Sequence, residues 1–157
     1  MELERDSDLK RALKVLGGSE AAARYLATYG KTAVKAQNAF RLGRYYRWLR
    51  DVKGVTMTLD ELVKDNLVCV WKSDPVDVDT KRRHRAWLEE FVNVQLAGCS
   101  LSYRRGTASI VKGFYEKNDS PLFGKLRIAE TEVEKPAKAL GAAEIRAVLK
   151  ALPLQQR

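Results

Sequence analysis

Histidine and cysteine are scarce in this chain, and their scarcity narrows the chemistry it can do. The one histidine, His84, sits among Arg82, Arg83 and Arg85 with no second histidine to share a metal ion or a proton. The two cysteines, Cys69 and Cys99, lack Cys-x-x-Cys spacing and lie in apolar neighbourhoods. Buried thiols in a reducing cytoplasm are therefore expected, and neither a metal site nor a cofactor is. No Gly-x-Ser-x-Gly, His-Glu-x-x-His or phosphate-cradling glycine loop occurs, so the chain reads as a binder and not as an enzyme. No apolar run approaches the roughly 18 residues of a membrane span. The first residues, Met1 to Asp6, are charged and carry no apolar signal core, so no membrane partner is expected. Val, Ile and Thr never gather into alternating runs bounded by turn residues, which leaves strands little support.

Helical periodicity fills the space that strands leave. Residues 6–29 read as one or two short helices broken at Gly17-Gly18, with Ser19 capping the second. A longer helix over 31–53 carries Val34, Asn38, Arg41, Tyr45, Trp48, Leu49 and Val52 on one side, and Gly54 closes it in a left-handed conformation. Thr58-Leu59-Asp60-Glu61 is a capping box that opens the next helix. That helix runs through Leu67-Val68-Cys69-Val70-Trp71, a short β-prone stretch whose acidic lead-in favours helix, and it breaks at Asp74-Pro75. Thr80 is placed to cap a helix from 81 to 96 with Trp87, Leu88, Phe91 and Val94 inward. A final helix is expected from Leu101 to about Lys117, followed by a turn at Asn118-Asp119-Ser120-Pro121. Residues 125–139 read as a linker. Ala142 to Leu152 repeats apolar residues at helical spacing, like the opening of a second domain.

Charge is in excess and unevenly spread. Twenty-nine Lys and Arg face twenty Asp and Glu, a formal net charge of +9 over 157 residues. Such a balance favours a polyanionic partner, with nucleic acid ahead of an anionic membrane surface. The basic residues concentrate in 31–53 and 81–117, and the stretch between them is acidic. This arrangement predicts one positive face, not a uniform coat. The aromatic residues of 45–48, 71, 87, 91, 114 and 115 fall mostly on apolar helical sides and read as core.

The most informative run is Gly98 to Tyr115. A turn at Gly98 and hydroxyl caps open a helix with one apolar face. Its other face holds Ser102, Arg105, Ser109 and Lys112. Short hydroxyls interleaved with long cations can straddle a phosphate backbone and reach base edges beyond it. The reading assigns phosphate contacts to Lys31, Lys35, Arg41, Arg44, Arg104, Arg105 and Lys112. Ser102, Arg105 and Ser109 are the candidates for groove edges, and Ser100 and Tyr103 are counted with the same DNA-facing group.

These motifs in this order resemble the N-terminal core-binding domain of tyrosine recombinases, the phage integrase family. Leu42 with Tyr45-Tyr46-Arg47-Trp48-Leu49 is similar to the end of that family's first helix. Ser100, Ser109, Val111, Lys112, Phe114 and Tyr115 match its fourth helix. Leu140 to Leu149 is similar to the opening of its catalytic domain. Tyr103 stands where threonine is usual, Gly106 where a basic residue is common, and Asn38 where an aromatic is frequent. The resemblance implies an all-α, SAM-like four-helix module over 31–124, preceded by an N-terminal helical extension over 1–30. A linker over 125–139 and the start of a truncated catalytic domain over 140–157 would follow. It also implies sequence-specific binding of double-stranded DNA in site-specific recombination and integration, homo-oligomers forming on DNA through the full-length recombinase, and nucleoid association. The family's strand-cutting residues would all lie past residue 157, so no tyrosine here is expected to act as nucleophile. A free-standing helical DNA-binding regulator and a helical protein–protein adaptor are the competing readings.

Overall fold

The computed structural model describes residues 10–130 apart from 12 and 15, and among these every regular element is helical. Six α-helices have both ends among the described residues. They are α1 (Glu20–Leu26), α2 (Thr32–Asp51), α3 (Leu59–Trp71), α4 (Val78–Lys81), α5 (Arg83–Glu90) and α6 (Leu101–Lys117). A π-helical turn, Phe91–Gln95, continues α5. The expected segment 140–157 and most of the expected linker lie outside the described residues.

Local chemistry sets most of the boundaries. Gly17 and Gly18 both adopt positive φ and break the chain before α1. Ser19 then caps α1, its Oγ accepting the Ala22 N–H at 3.1 Å. Asp60, in the first turn of α3, accepts from both Ser19 Oγ and the Ala21 N–H. One carboxylate therefore joins the starts of two helices, where negative charge also suits both helix dipoles. Gly54, at φ +67°, turns the chain back so that the Val55 N–H reaches the Leu49 carbonyl at 2.9 Å. Thr58 caps α3 and Ser100 caps α6, as the sequence predicts. The expected cap at Thr80 is displaced. Asp77 accepts the Thr80 N–H and starts the single turn of α4, and α5 follows with no side-chain cap.

The core gathers on the buried side of α6, against which α1, α2, α5 and the π turn pack, with Leu59 and Leu62 of α3 joining it. Leu42, Leu49, Leu62, Leu88, Phe91, Val111, Phe114 and Tyr115 are essentially sealed from solvent. Each such side chain contributes about 1.5–3 kcal/mol by burial. Tyr45 stacks on Trp48, and Phe91 meets both at steep angles, with the three ring centroids within about 6 Å of one another. Three expectations fail at the edges of this core. Val52 and Val94 are exposed, and Trp71 is 72 % exposed. Val52 lies past the end of α2. Val94 is turned out by the π turn, in which the Leu96 N–H bonds to the Phe91 carbonyl five residues back. The wider turn rephases the helix, so Val92 and Leu96 fill the inward positions. The β-prone run at the end of α3 is helical, with Cys69 buried and Leu67, Val68 and Trp71 facing out.

After α6 the chain is fixed to its neighbours. Asn118 donates to the Ala21 and Phe114 carbonyls and accepts from Arg24. Asn66 donates to the Ser120 carbonyl and hydroxyl. Residues 125–130, expected to belong to a linker, are held along α5 and the π turn. Arg85 donates to the Phe123 carbonyl, and Glu89 accepts from the Arg127 N–H. Asn93 donates to the Arg127 carbonyl and accepts from the Ala129 N–H. Leu126 and Ile128, at alternate positions, pack onto the core.

Candidate nucleic-acid interface

The solvent side of α6 is set by spacing alone. Ser102, Arg105, Ser109 and Lys112 recur at intervals of three and four residues, which places them on one helical face. All four are exposed. Thr107, Ala108, Val111, Phe114 and Tyr115 line the opposite, buried side.

Two cations of α2 reach this face. The Arg41 guanidinium lies over the Tyr103 ring, 4.3 Å from its centroid. Arg44 approaches the same ring at 5.9 Å and donates to the Tyr103 hydroxyl at 3.0 Å. A β-carbon at Gly106 would stand 2.6 Å from Arg41 Nη1, so the missing side chain is what lets Arg41 lie against α6. Tyr103 is thus a platform on which two arginines are stacked, an arrangement worth roughly 0.5–1 kcal/mol per cation at an exposed site. Arg44 and Arg47 also line a recess of about 270 Å³ with Trp48, Asp51, Val52, Phe91 and Gln95. Arg47, absent from the residues expected from the sequence, follows Arg44 by three positions and so shares its side of α2.

Arg105 pairs with Glu130 at 3.0 Å and Lys112 with Glu116 at 3.7 Å, with every partner exposed. Exposed pairs of this kind contribute about 0–1 kcal/mol, so both cations can exchange a glutamate for a phosphate at little cost.

Four of the predicted residues do not belong to this cluster. Arg104 is 2 % exposed. Its Nε donates to the Val92 carbonyl at 2.8 Å and its Nη2 to Asn93 Oδ1 and the Ala129 carbonyl. It is an internal brace, because it occupies the Ala108, Val111 and Tyr115 stripe of α6 and meets the Val92 carbonyl of the π turn. Ser100 is engaged as the α6 cap, accepting the Tyr103 N–H. Lys31 precedes α2 and makes no side-chain cap bond; ten residues of helical rise put it about 15 Å along the axis from Arg41. Lys35 falls in register with Asn38, Leu42, Tyr45 and Leu49, the buried stripe, and so lies on a different side of the helix from Arg44.

Apart from Asp77, whose exposed carboxyl is held below its usual range by the Thr80 hydroxyl and N–H, the groups with displaced pKa values lie inside the bundle. His84 is fully buried between Asp65 and Tyr115, its Nε2 at 2.7 Å from Asp65 Oδ2 and its Nδ1 at 2.9 Å from the Tyr115 hydroxyl. Burial pushes its pKa below the usual imidazole range despite the opposing pull of Asp65. Burial likewise drives the Tyr115 phenol far above its usual range. Cys69 stands one helical turn from Asp65 on α3, its Sγ 3.7 Å from Asp65 Oδ2, and burial followed by the Asp65 charge raises its thiol pKa. The structure thus gathers three groups of metal-ligand type where the sequence reading saw a lone histidine.

Among the described residues no helix is long and apolar enough to cross a membrane. Comparison of the chain with protein-family models, curated proteins and solved structures returns no match.

Proposed function

We propose that this chain grips double-stranded DNA through the exposed face of α6 and the arginines of α2, as the clamp module of an integrase-like tyrosine recombinase. The observation that carries the reading is the convergence of Ser102, Arg105, Ser109 and Lys112 with the Arg41–Tyr103–Arg44 stack. Cations drawn from two separated stretches of sequence meet beside short hydroxyls, which is the composition that reads a duplex by backbone and groove together. The resemblance set out above adds the recombinase context. In that family a basic residue is common at the position of Gly106, and here Arg41 brings a cation across that position from α2. Arg41, Arg44, Arg105 and Lys112 are assigned to phosphates, and Ser102, Arg105 and Ser109 to groove edges. Lys31, Lys35, Ser100 and Arg104 are dropped from the contact set, and Arg47 joins it. None of these residues is assigned to strand cleavage.

The test is a gel-shift salt series on duplex DNA with Arg105→Ala and Lys112→Ala. Each lost phosphate contact should lower the slope of log K against log salt by about 0.9. Binding that neither substitution weakens would refute the assignment of this face. The adaptor reading has its own supporting observation, the exposed Leu67, Val68 and Trp71 at the end of α3. It requires that DNA affinity be negligible at low salt.

A further inference from the structure

We propose that Asp65, Cys69 and His84 form a binding site for one divalent cation of the zinc class, which ties α3 to α5. The three side chains supply a carboxylate oxygen, a thiol sulfur and an imidazole nitrogen, the donor types that zinc takes in tetrahedral sites. Asp65 and Cys69 stand one turn apart on α3, and His84 meets them from α5. Oδ2 of Asp65 lies 2.7 Å from His84 Nε2 and 3.7 Å from Cys69 Sγ, and all three donors fall within 4.8 Å of one another. Metal bonds of about 2.0–2.3 Å place tetrahedral donors roughly 3.3–3.8 Å apart. Adjustments of about 1 Å or less therefore bring these atoms onto one ion.

Two further features favour a cation here. The first is the outer partner of the imidazole. Tyr115 Oη sits 2.9 Å from His84 Nδ1, and a metal-bound histidine characteristically has such a partner for its second ring nitrogen. In the metal-free protein Nε2 carries the proton toward Asp65, and the Tyr115 hydroxyl donates to Nδ1. On binding, the ring proton passes to Nδ1 and is donated to Tyr115, Nε2 ligates the ion, and the Cys69 thiol releases its proton to solvent. One dication enters and one proton leaves.

The second feature is the cation already present. Arg83 places Nη1 3.5 Å from Cys69 Sγ and 4.0 Å from Asp65 Oδ2, and its side chain is 45 % exposed. A dication would displace this guanidinium into solvent, and the side it vacates offers a path for the ion and for a water as fourth ligand. Lys81 is no competitor, since it gives its ammonium to the Val70 carbonyl and to Ser73.

The experiment is a Co²⁺ titration of the reduced, chelator-stripped full chain, followed by back-titration with Zn²⁺. It reads the metal and is independent of DNA binding, so it can fail while the DNA reading stands. Expected are tetrahedral d–d bands with a thiolate charge-transfer band, both erased by Zn²⁺. Cys69→Ser should remove the charge-transfer band and weaken Zn²⁺ binding by at least about tenfold. Cys99→Ser should change neither. Arg83→Gln, an exposed change that leaves the core alone, should tighten Zn²⁺ binding severalfold by removing the competing cation. The proposal is overturned by a wild-type chain without the charge-transfer band, by a band that survives Cys69→Ser, or by an Arg83→Gln variant that binds no more tightly.

Discussion

Replacing Arg104 by alanine separates a brace from a DNA contact. Arg104 is adjacent to Arg105 in sequence, yet its guanidinium is spent inside the protein on Val92, Asn93 and Ala129. The bond to the Val92 carbonyl is the buried one. A hydrogen bond to a charged group contributes about 1.5–3 kcal/mol, and stranding a buried acceptor costs about 1–3 kcal/mol. Ala129 is exposed, so its carbonyl can turn to water and adds little. The expected loss is roughly 2–4 kcal/mol. At about 3 °C per kcal/mol for a chain of this size, the melting temperature should fall by roughly 6–12 °C. Arg104→Lys should recover only part of this, because an ammonium cannot span three acceptors as a planar fork does. The assay is urea or thermal unfolding, paired with a DNA salt series on the folded variant. The salt slope should stay at the wild-type value for Arg104→Ala and drop by about 0.9 for Arg105→Ala. A stability loss below about 0.5 kcal/mol together with a reduced slope for Arg104→Ala would refute the brace and return this arginine to the DNA face.

Other outcomes follow from the same geometry. Tyr103→Leu should release both stacked arginines and weaken DNA binding severalfold with little change in stability, as read by gel shift and thermal melting. Asn118→Ala removes the bonds to the Ala21 and Phe114 carbonyls and the one from Arg24, and a destabilisation of about 1–3 kcal/mol is expected in urea unfolding. Gly54→Ala forces a β-carbon into a left-handed position and should cost about 1–2 kcal/mol. In chelator-treated protein, His84 titrates lower when folded than its ordinary value of about 6.5. The unfolded chain then takes up the proton first. The contribution of His84 is complete above that ordinary value and is lost as the pH falls below it, so the urea midpoint should drop on acidification and His84→Gln should flatten the drop.

Local signals carried much of the fold. Ser19, Thr58 and Ser100 cap, and Gly54 stops, the helices they were expected to, because each acts on backbone groups within a few residues. The exposed face of α6 was legible for the same reason, since periodicity alone decides which residues share a side. What escaped depended on partners distant in sequence. The burial of Arg104 follows from the π turn at Phe91–Gln95, which no local rule announces, although its register with Ala108, Val111 and Tyr115 was a readable warning. Asp65, Cys69 and His84 meet only because α3 packs beside α5. The Thr80 cap failed because Asp77 starts the helical turn three residues earlier and accepts both the N–H and the hydroxyl of Thr80, which leaves Thr80 inside the turn. Lys35 shares a basic stretch with Arg44, and helical phase separates the two.

The segment over 122–130 also sets a mechanical boundary condition. Arg85, Glu89, Asn93 and Arg104 moor it at successive points, so the packed body extends at least to residue 130, well past Asn118 where α6 stops. Tension applied from beyond residue 130 would load the π turn and the Arg105–Glu130 pair before it reached the aromatic centre. The stretch that looks in sequence like slack rope is in effect the first few knots of the anchorage.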